Sequence, residues 1–182
     1  MDIYEFLGNK TKVDILKYLL FKEDNISARE LETKLSYSFP AIKNQIDRLE
    51  KAGIILKNKQ GNRWSLTISE KIKPLLFKIF LFDIALFLDE VVNENYFLEK
   101  YLLWDLFFLD SQEKIWVDLV FVYNNVEDVF LQDLKKKLND FFDTYFVDIK
   151  LYFLSKQDYE KRLKFADKFI VKLNKLNQQF KL

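Results

Sequence analysis

The chain has 182 residues, 49% hydrophobic and 17% aromatic, with 29 basic and 28 acidic side chains; that suffices for one large or two small domains with a core that needs no staples. It has no cysteine and no histidine, which excludes disulfides, thiolate metal centres, and the commonest general base and metal ligand. Carboxylates remain as ligands for Mg²⁺, Ca²⁺ or Mn²⁺, and no cofactor is expected.

In chain order, "KTKVDILKYLLF" (10–21) places apolar residues at helical spacing. "SARELETKL" opens with Ser27 and has Glu30 three residues on, a capping-box pattern, with Leu31 and Leu35 as its inward pair. After "SYS", Ser38 is expected to cap a second helix, with Pro40 in its first turn, where a missing N–H costs nothing. Ile42, Ile46 and Leu49 form its buried stripe and Gly53 follows as the stop signal. "IILK" and "RWSLTI" flank the turn-rich "NKQGN" and predict a hairpin, with Trp64 expected in the core at its root, ahead of the competing reading as a stacking platform.

From 75 to 95 the chain is helical and apolar almost all round. Lys78, Asp83, Asp89 and Glu90 interrupt it, and no uncharged run approaches the roughly 20 residues of a membrane span. A helix of this kind is expected to be buried on every side, as a linker and dimerisation element or as a plain interdomain core, with a break at Asn93–Asn95. The remainder alternates. Strands are expected at 103–109 and 116–123, paired antiparallel across the six-residue link "DSQEKI". An amphipathic helix follows at 126–142, with "KKK" (135–137) on its solvated side. A third strand at 146–154 turns Val147, Ile149, Leu151 and Phe153 to one face, and a helical tail closes the chain. The class is therefore α+β. The domains are expected at 1–74, 75–95 and 96–182, and the last holds a small mixed sheet with helices packed on it. The start "MDI" shows no basic stretch leading into an apolar run, so no signal peptide is read, and a cytoplasmic location is the expectation.

Charge is uneven. Residues 1–74 carry a net +4 and residues 75–182 a net −3. The whole surplus lies within Ser38–Arg63, where Lys43, Arg48, Lys51, Lys57, Lys59 and Arg63 face only Asp47 and Glu50. This is a local basic patch on a nearly neutral protein.

The order of elements over residues 5–74, with "ISARELETKLSYSFPAIKNQIDRLEKAGII" and the hairpin "KNKQGNRWSLT", resembles the winged helix-turn-helix regulators of the ArsR and MarR kind. The resemblance implies a transcription regulator that binds double-stranded DNA, as a homodimer reading two half-sites. The second helix would enter the major groove, presenting Tyr37, Ser38, Phe39, Lys43, Asn44, Asp47 and Arg48. Gln45 lies close to the buried stripe. The wing would bring Lys57, Lys59, Asn62 and Arg63 to flanking phosphates or a minor groove. A protein-interaction module that never touches nucleic acid is the competing reading of the same surface.

The second half, strand–link–strand–helix–strand–helix, resembles a degenerate minimal nucleotidyltransferase over about residues 96–175. In that family a Gly-Ser turn and an Asp-x-Asp strand hold a nucleotide and two Mg²⁺ ions. Here "LFFLDS" puts Asp110 where the glycine would stand and keeps Ser111. "WVDL" puts Trp116 in place of the first aspartate and keeps Asp118, and Asp148 matches the third carboxylate. The losses imply a non-catalytic sensor or dimerisation domain. Active nucleotidyl transfer by Asp118 and Asp148 with Mg²⁺, as in a toxin–antitoxin pair, is the alternative. The plainer reading puts both aspartates on an exposed sheet face.

Overall fold

The computed structural model describes residues 3–23, 25–92, 97–104 and 116–171. They divide into two units. The first comprises Met1–Leu86 with Thr144–Phe146, the second Phe87–Asp143 with Val147–Leu182.

The first unit opens with a short helix that the sequence pattern had not suggested, α1 (Ile3–Leu7), whose five residues are too few to show a period. In α2 (Lys10–Phe21) the cap is Asn9, whose side chain accepts the Lys12 N–H at 3.0 Å. This helix buries Val13 and the whole run from Ile15 to Phe21, Lys17 included, and forms the centre of the unit. The expected capping box opens α3 (Ala28–Leu35): Ser27 and Glu30 bond each other's backbone N–H groups. Ser36, left-handed at φ 57°, ends it.

α4 (Phe39–Lys51) buries Ile42, Ile46 and Leu49 as its spacing predicts. Its cap departs from expectation. Ser38 occupies the N-cap position without a side-chain bond. The Phe39 N–H instead donates to Glu32 of α3 at 3.1 Å, so a side chain seven residues upstream satisfies the helix start. At the other end Gly53, at φ 71°, lets its own N–H reach the Glu50 carbonyl and the Ile54 N–H reach that of Leu49. The chain then enters β1 (Ile55–Gln60) and β2 (Arg63–Ile68), an antiparallel hairpin in register from Ile55↔Ile68 to Gln60↔Arg63. Gly61, at φ 62°, takes the positive φ that the tight turn demands. A single bridge, Ile26↔Leu66, ties the hairpin root to the α2–α3 connection.

α5 (Lys73–Val91) was expected to be enclosed all round. It is not: Leu76, Phe77, Phe80, Asp83 and Ile84 are buried, whereas Leu75 is 57% and Phe82 55% exposed. Its open side carries Lys78, Asp89 and Glu90, all exposed, beside these two apolar residues. The proposed break at Asn93–Asn95 lies outside the described residues.

The second unit is built on β3 (Phe97–Trp104), β4 (Trp116–Tyr123) and β5 (Asp148–Ser155) in the order β3-β4-β5. The β3–β4 pair is antiparallel and the β4–β5 pair parallel, linked by α6 (Asp128–Asp143), and α7 (Lys156–Lys164) follows β5. The mixed sheet agrees with expectation, and β4 has the predicted bounds. β3 begins six residues earlier than the strand expected at 103, because Glu99 and Lys100 hide its pattern. Residues 105–109 and the link 110–115 lie outside the described residues. α6 turns Leu131, Leu134, Leu138 and Phe142 inward. On the other sheet face Val120, Val122 and Leu154 are buried with Ile170, with Tyr152, Tyr159 and Phe169 packed against them.

Candidate nucleic-acid interface

The exposed side of α4 follows from its sequence. Pro40, Lys43, Asn44, Asp47, Arg48 and Lys51 recur at spacings of three and four and are all exposed, so they form one stripe opposite the buried one. Gln45 falls between the stripes and is buried at 6% exposure. Ser38 is exposed at the helix start, whereas Phe39 is half-buried.

Tyr37 must be read differently from expectation. Its hydroxyl donates to the Asp14 carboxylate at 2.6 Å, which, with burial, raises its pKa. The hydroxyl expected at a phosphate is thus committed within the protein. Asp14 also accepts from Tyr4 at 3.3 Å, and the Tyr4 hydroxyl in turn accepts from the buried Lys17 ammonium at 3.3 Å. That ammonium stands 3.8 Å from the centroid of the Tyr145 ring, and the Tyr145 hydroxyl donates to the buried carboxylate of Asp83. Ion, ring and hydroxyl contacts therefore run through the core of the first unit to the turn that starts α4. None of these pairings is visible in the sequence, since the partners stand at least 10 positions apart and Lys17 and Tyr145 lie on α2 and beyond α6.

In the wing, Lys59, Asn62 and Arg63 are exposed as expected. Lys57 is not an open cation. Its ammonium bonds Asp47 at 2.9 Å and also Glu50, both on α4, and these two bonds raise its pKa. One lysine thus screens both acidic groups of the stripe and fastens wing to helix. Lys57 and Asp47, both expected at DNA, are thus paired with each other in this structure. Lys43, Arg48, Lys51, Lys59 and Arg63 remain as exposed cations in the segment. Trp64, expected in the core, is 55% exposed, with the Lys59 ammonium 5.9 Å from its ring centroid.

In the second unit, Ser111 lies outside the described residues. Asp118 is half-buried and Asp148 exposed. The register pairs Trp116 with Asp148 and Asp118 with Lys150, so the two aspartates share one face, diagonally across neighbouring strands. That face is covered around Val120 and Val122, so the simple exposed face expected for Asp118 is not found. Among the described residues no group of three acidic side chains is placed to hold a metal ion. Lys135–Lys137 are exposed on α6, and Lys137 pairs with Asp133 at 2.8 Å. Among the described residues no helix is long and apolar enough to cross a membrane.

No family model and no curated protein matches the chain. Solved structures similar to it include the transcriptional regulator PA3341, at 20% identity and a TM-score of 0.42, covering 50% of this chain and 71% of that one. Others are the transcriptional regulator Tm0710 from Thermotoga maritima, at 18% identity and 0.39 over 51% and 69%, and a multiple antibiotic-resistance repressor (MarR) from Listeria monocytogenes, at 20% and 0.36 over 50% and 66%.

Proposed function

We propose that the first unit reads duplex DNA and that the protein is a transcription regulator working as a homodimer. The observation that supports this is the exposed stripe of α4, with Lys43, Asn44 and Arg48 in its first three turns, beside a hairpin whose tip carries Lys59, Asn62 and Arg63. Asn44 suits adenine, which offers a donor and an acceptor in the major groove; Lys43 and Arg48 suit guanine or phosphate. The wing cations suit phosphates or the minor groove alongside. A patch of this size neutralises few phosphates, so one copy binds weakly and two half-sites are needed. The open side of α5, with Leu75 and Phe82 exposed and Ile79 and Leu86 half-buried at spacings of four, three and four, is the surface on which a second copy would pack. The second unit then serves as a sensor or dimerisation domain without catalysis, and a cytoplasmic site of action goes with this role.

The experiment is binding to duplex DNA across salt concentrations for the wild type and for Lys43→Ala, Arg48→Ala and Arg63→Ala. Loss of a phosphate contact lowers the salt slope by about one, and loss of a base contact costs about 1–3 kcal/mol. Unchanged affinity in all three variants removes the proposed surface. Partner capture without any DNA binding would select the protein-interaction module instead.

A further inference from the structure

We propose that Trp64 is a DNA-contacting side chain, and that the wing reads the minor groove of A·T-rich duplex through its indole; this rests on the DNA-binding reading of the first unit. Three observations converge on it.

The first is exposure. An indole is the largest apolar side chain a protein can bury, and leaving one open forfeits its hydrophobic contribution. Trp64 is 55% exposed, although Leu66, two residues on along the same face, is buried. The second is direction. Lys59 and Trp64 are register partners, so they share the hairpin face of Lys57 and Leu66 and of Ile55 and Ile68. Ile55, Leu66 and Ile68 on that face are buried, and Lys57 is clasped to α4. Trp64 therefore stands on the α4 side of the wing, where the strands outrun the core. The third is charge. The Lys59 ammonium stands 5.9 Å from the ring centroid on the same face, while the exposed Arg63, next in register, faces the other side of the tip.

A flat apolar ring with a cation beside it, on a tip that carries a second cation, fits one class of partner well. The minor groove of A·T-rich DNA is narrow and strongly negative, which attracts the lysine and arginine, and its sugar walls are apolar. Its floor carries only acceptors, the adenine N3 and thymine O2. The indole supplies a single N–H donor and no acceptor. G·C pairs place an amino group in the same groove, and a donor-only side chain is repelled there.

The test uses the full chain and three probes, the duplexes poly(dA·dT), poly(dG·dC) and poly(dI·dC). Inosine keeps the major-groove acceptors of guanine but lacks its minor-groove amino group. Anisotropy of a labelled duplex reports binding, and tryptophan emission reports the ring. The expected result is quenching with dA·dT and dI·dC, weak with dG·dC, and absent in Trp64→Phe, which leaves the other two tryptophans in place. Trp64→Ala is expected to weaken dA·dT binding about 10-fold, within the range for loss of an aromatic–base contact, without changing the salt slope. Trp64→Lys adds a cation but removes the ring, and is expected to bind more weakly than the wild type at moderate salt. Binding without Trp64-dependent quenching, dI·dC behaving like dG·dC, or full affinity in Trp64→Ala would each overturn the assignment and leave the proposed function standing. Absence of binding to any duplex would overturn both.

Discussion

The Tyr37 hydroxyl is held by the Asp14 carboxylate at 2.6 Å, across 23 positions of sequence. Tyr37 immediately precedes the Ser38 cap position of α4, so this bond fixes the residue from which the proposed reading helix starts. Removing it leaves a carboxylate with one hydroxyl partner fewer. Tyr37→Phe is expected to lose about 1–3 kcal/mol in urea unfolding. Because the hydroxyl points into the protein, the salt slope of DNA binding is expected to stay unchanged. A slope reduced by about one would mean that the hydroxyl leaves Asp14 to meet a phosphate.

Lys57 ties β1 to two carboxylates of α4. Exposed ion pairs add little stability, so Lys57→Ala is expected to cost no more than about 1 kcal/mol in unfolding. Its effect on DNA binding is expected to be larger, since Asp47 and Glu50 lose their screen and face the phosphates. The triple variant Lys57→Ala, Asp47→Asn, Glu50→Gln should recover most of the affinity. Recovery failing there, with the fold intact by circular dichroism, would show Lys57 to be a direct phosphate ligand.

Alkaline pH should unfold the first unit. Burial, then nearby carboxylates, raise the pKa of Tyr4, Tyr18 and Tyr37; burial, then the bond to Asp83, raises that of Tyr145. A raised pKa means that the folded state holds the phenolic proton more tightly than the unfolded chain does. Its contribution is complete below the ordinary tyrosine value of about 10 and falls as pH rises above it. Stability measured by urea unfolding should therefore decline above about pH 10, and Tyr145→Phe should make the decline shallower while lowering stability at neutral pH. An equal slope in the variant would separate Tyr145 from the effect.

Phe82 is 55% exposed at the middle of an apolar stripe on α5. If a second copy covers it, Phe82→Glu should convert a dimer to a monomer in sedimentation velocity at micromolar concentration, with little change in the unfolding of the monomer. Duplex affinity should fall by far more than in Lys43→Ala, because one half-site is lost outright. A wild type that sediments as a monomer at all concentrations would refute this packing.

Local signals were legible where their cause is local. Ser27 and Glu30 marked a helix start because a capping box closes within three residues, and Gly53 marked a stop because its φ of 71° suits only a few residue types. The strand at 116–123 was readable from its run of valines and aromatics. The partners of Lys57 were not legible, because they are set by how β1 lies on α4, and charge counting treats the side chain as a free cation. Trp64 was misread because composition says that a tryptophan seeks a core, while the wing outreaches the core available. The α4 cap came from Glu32 for the same reason: the donor and acceptor meet only after α3 and α4 have docked.

Tyr145 belongs to the first unit although α6 and β5 on either side of it belong to the second. A chain cut after residue 92 would keep the entire reading surface and still lose Tyr145, together with Phe146, whose ring packs 5.1 Å from that of Tyr18. Asp83 would then be sealed in without its hydroxyl donor, and Lys17 without the aromatic face beneath it. Truncation is thus a poor way to isolate the amino-terminal portion, since the fragment would carry two internal charges each missing a neighbour.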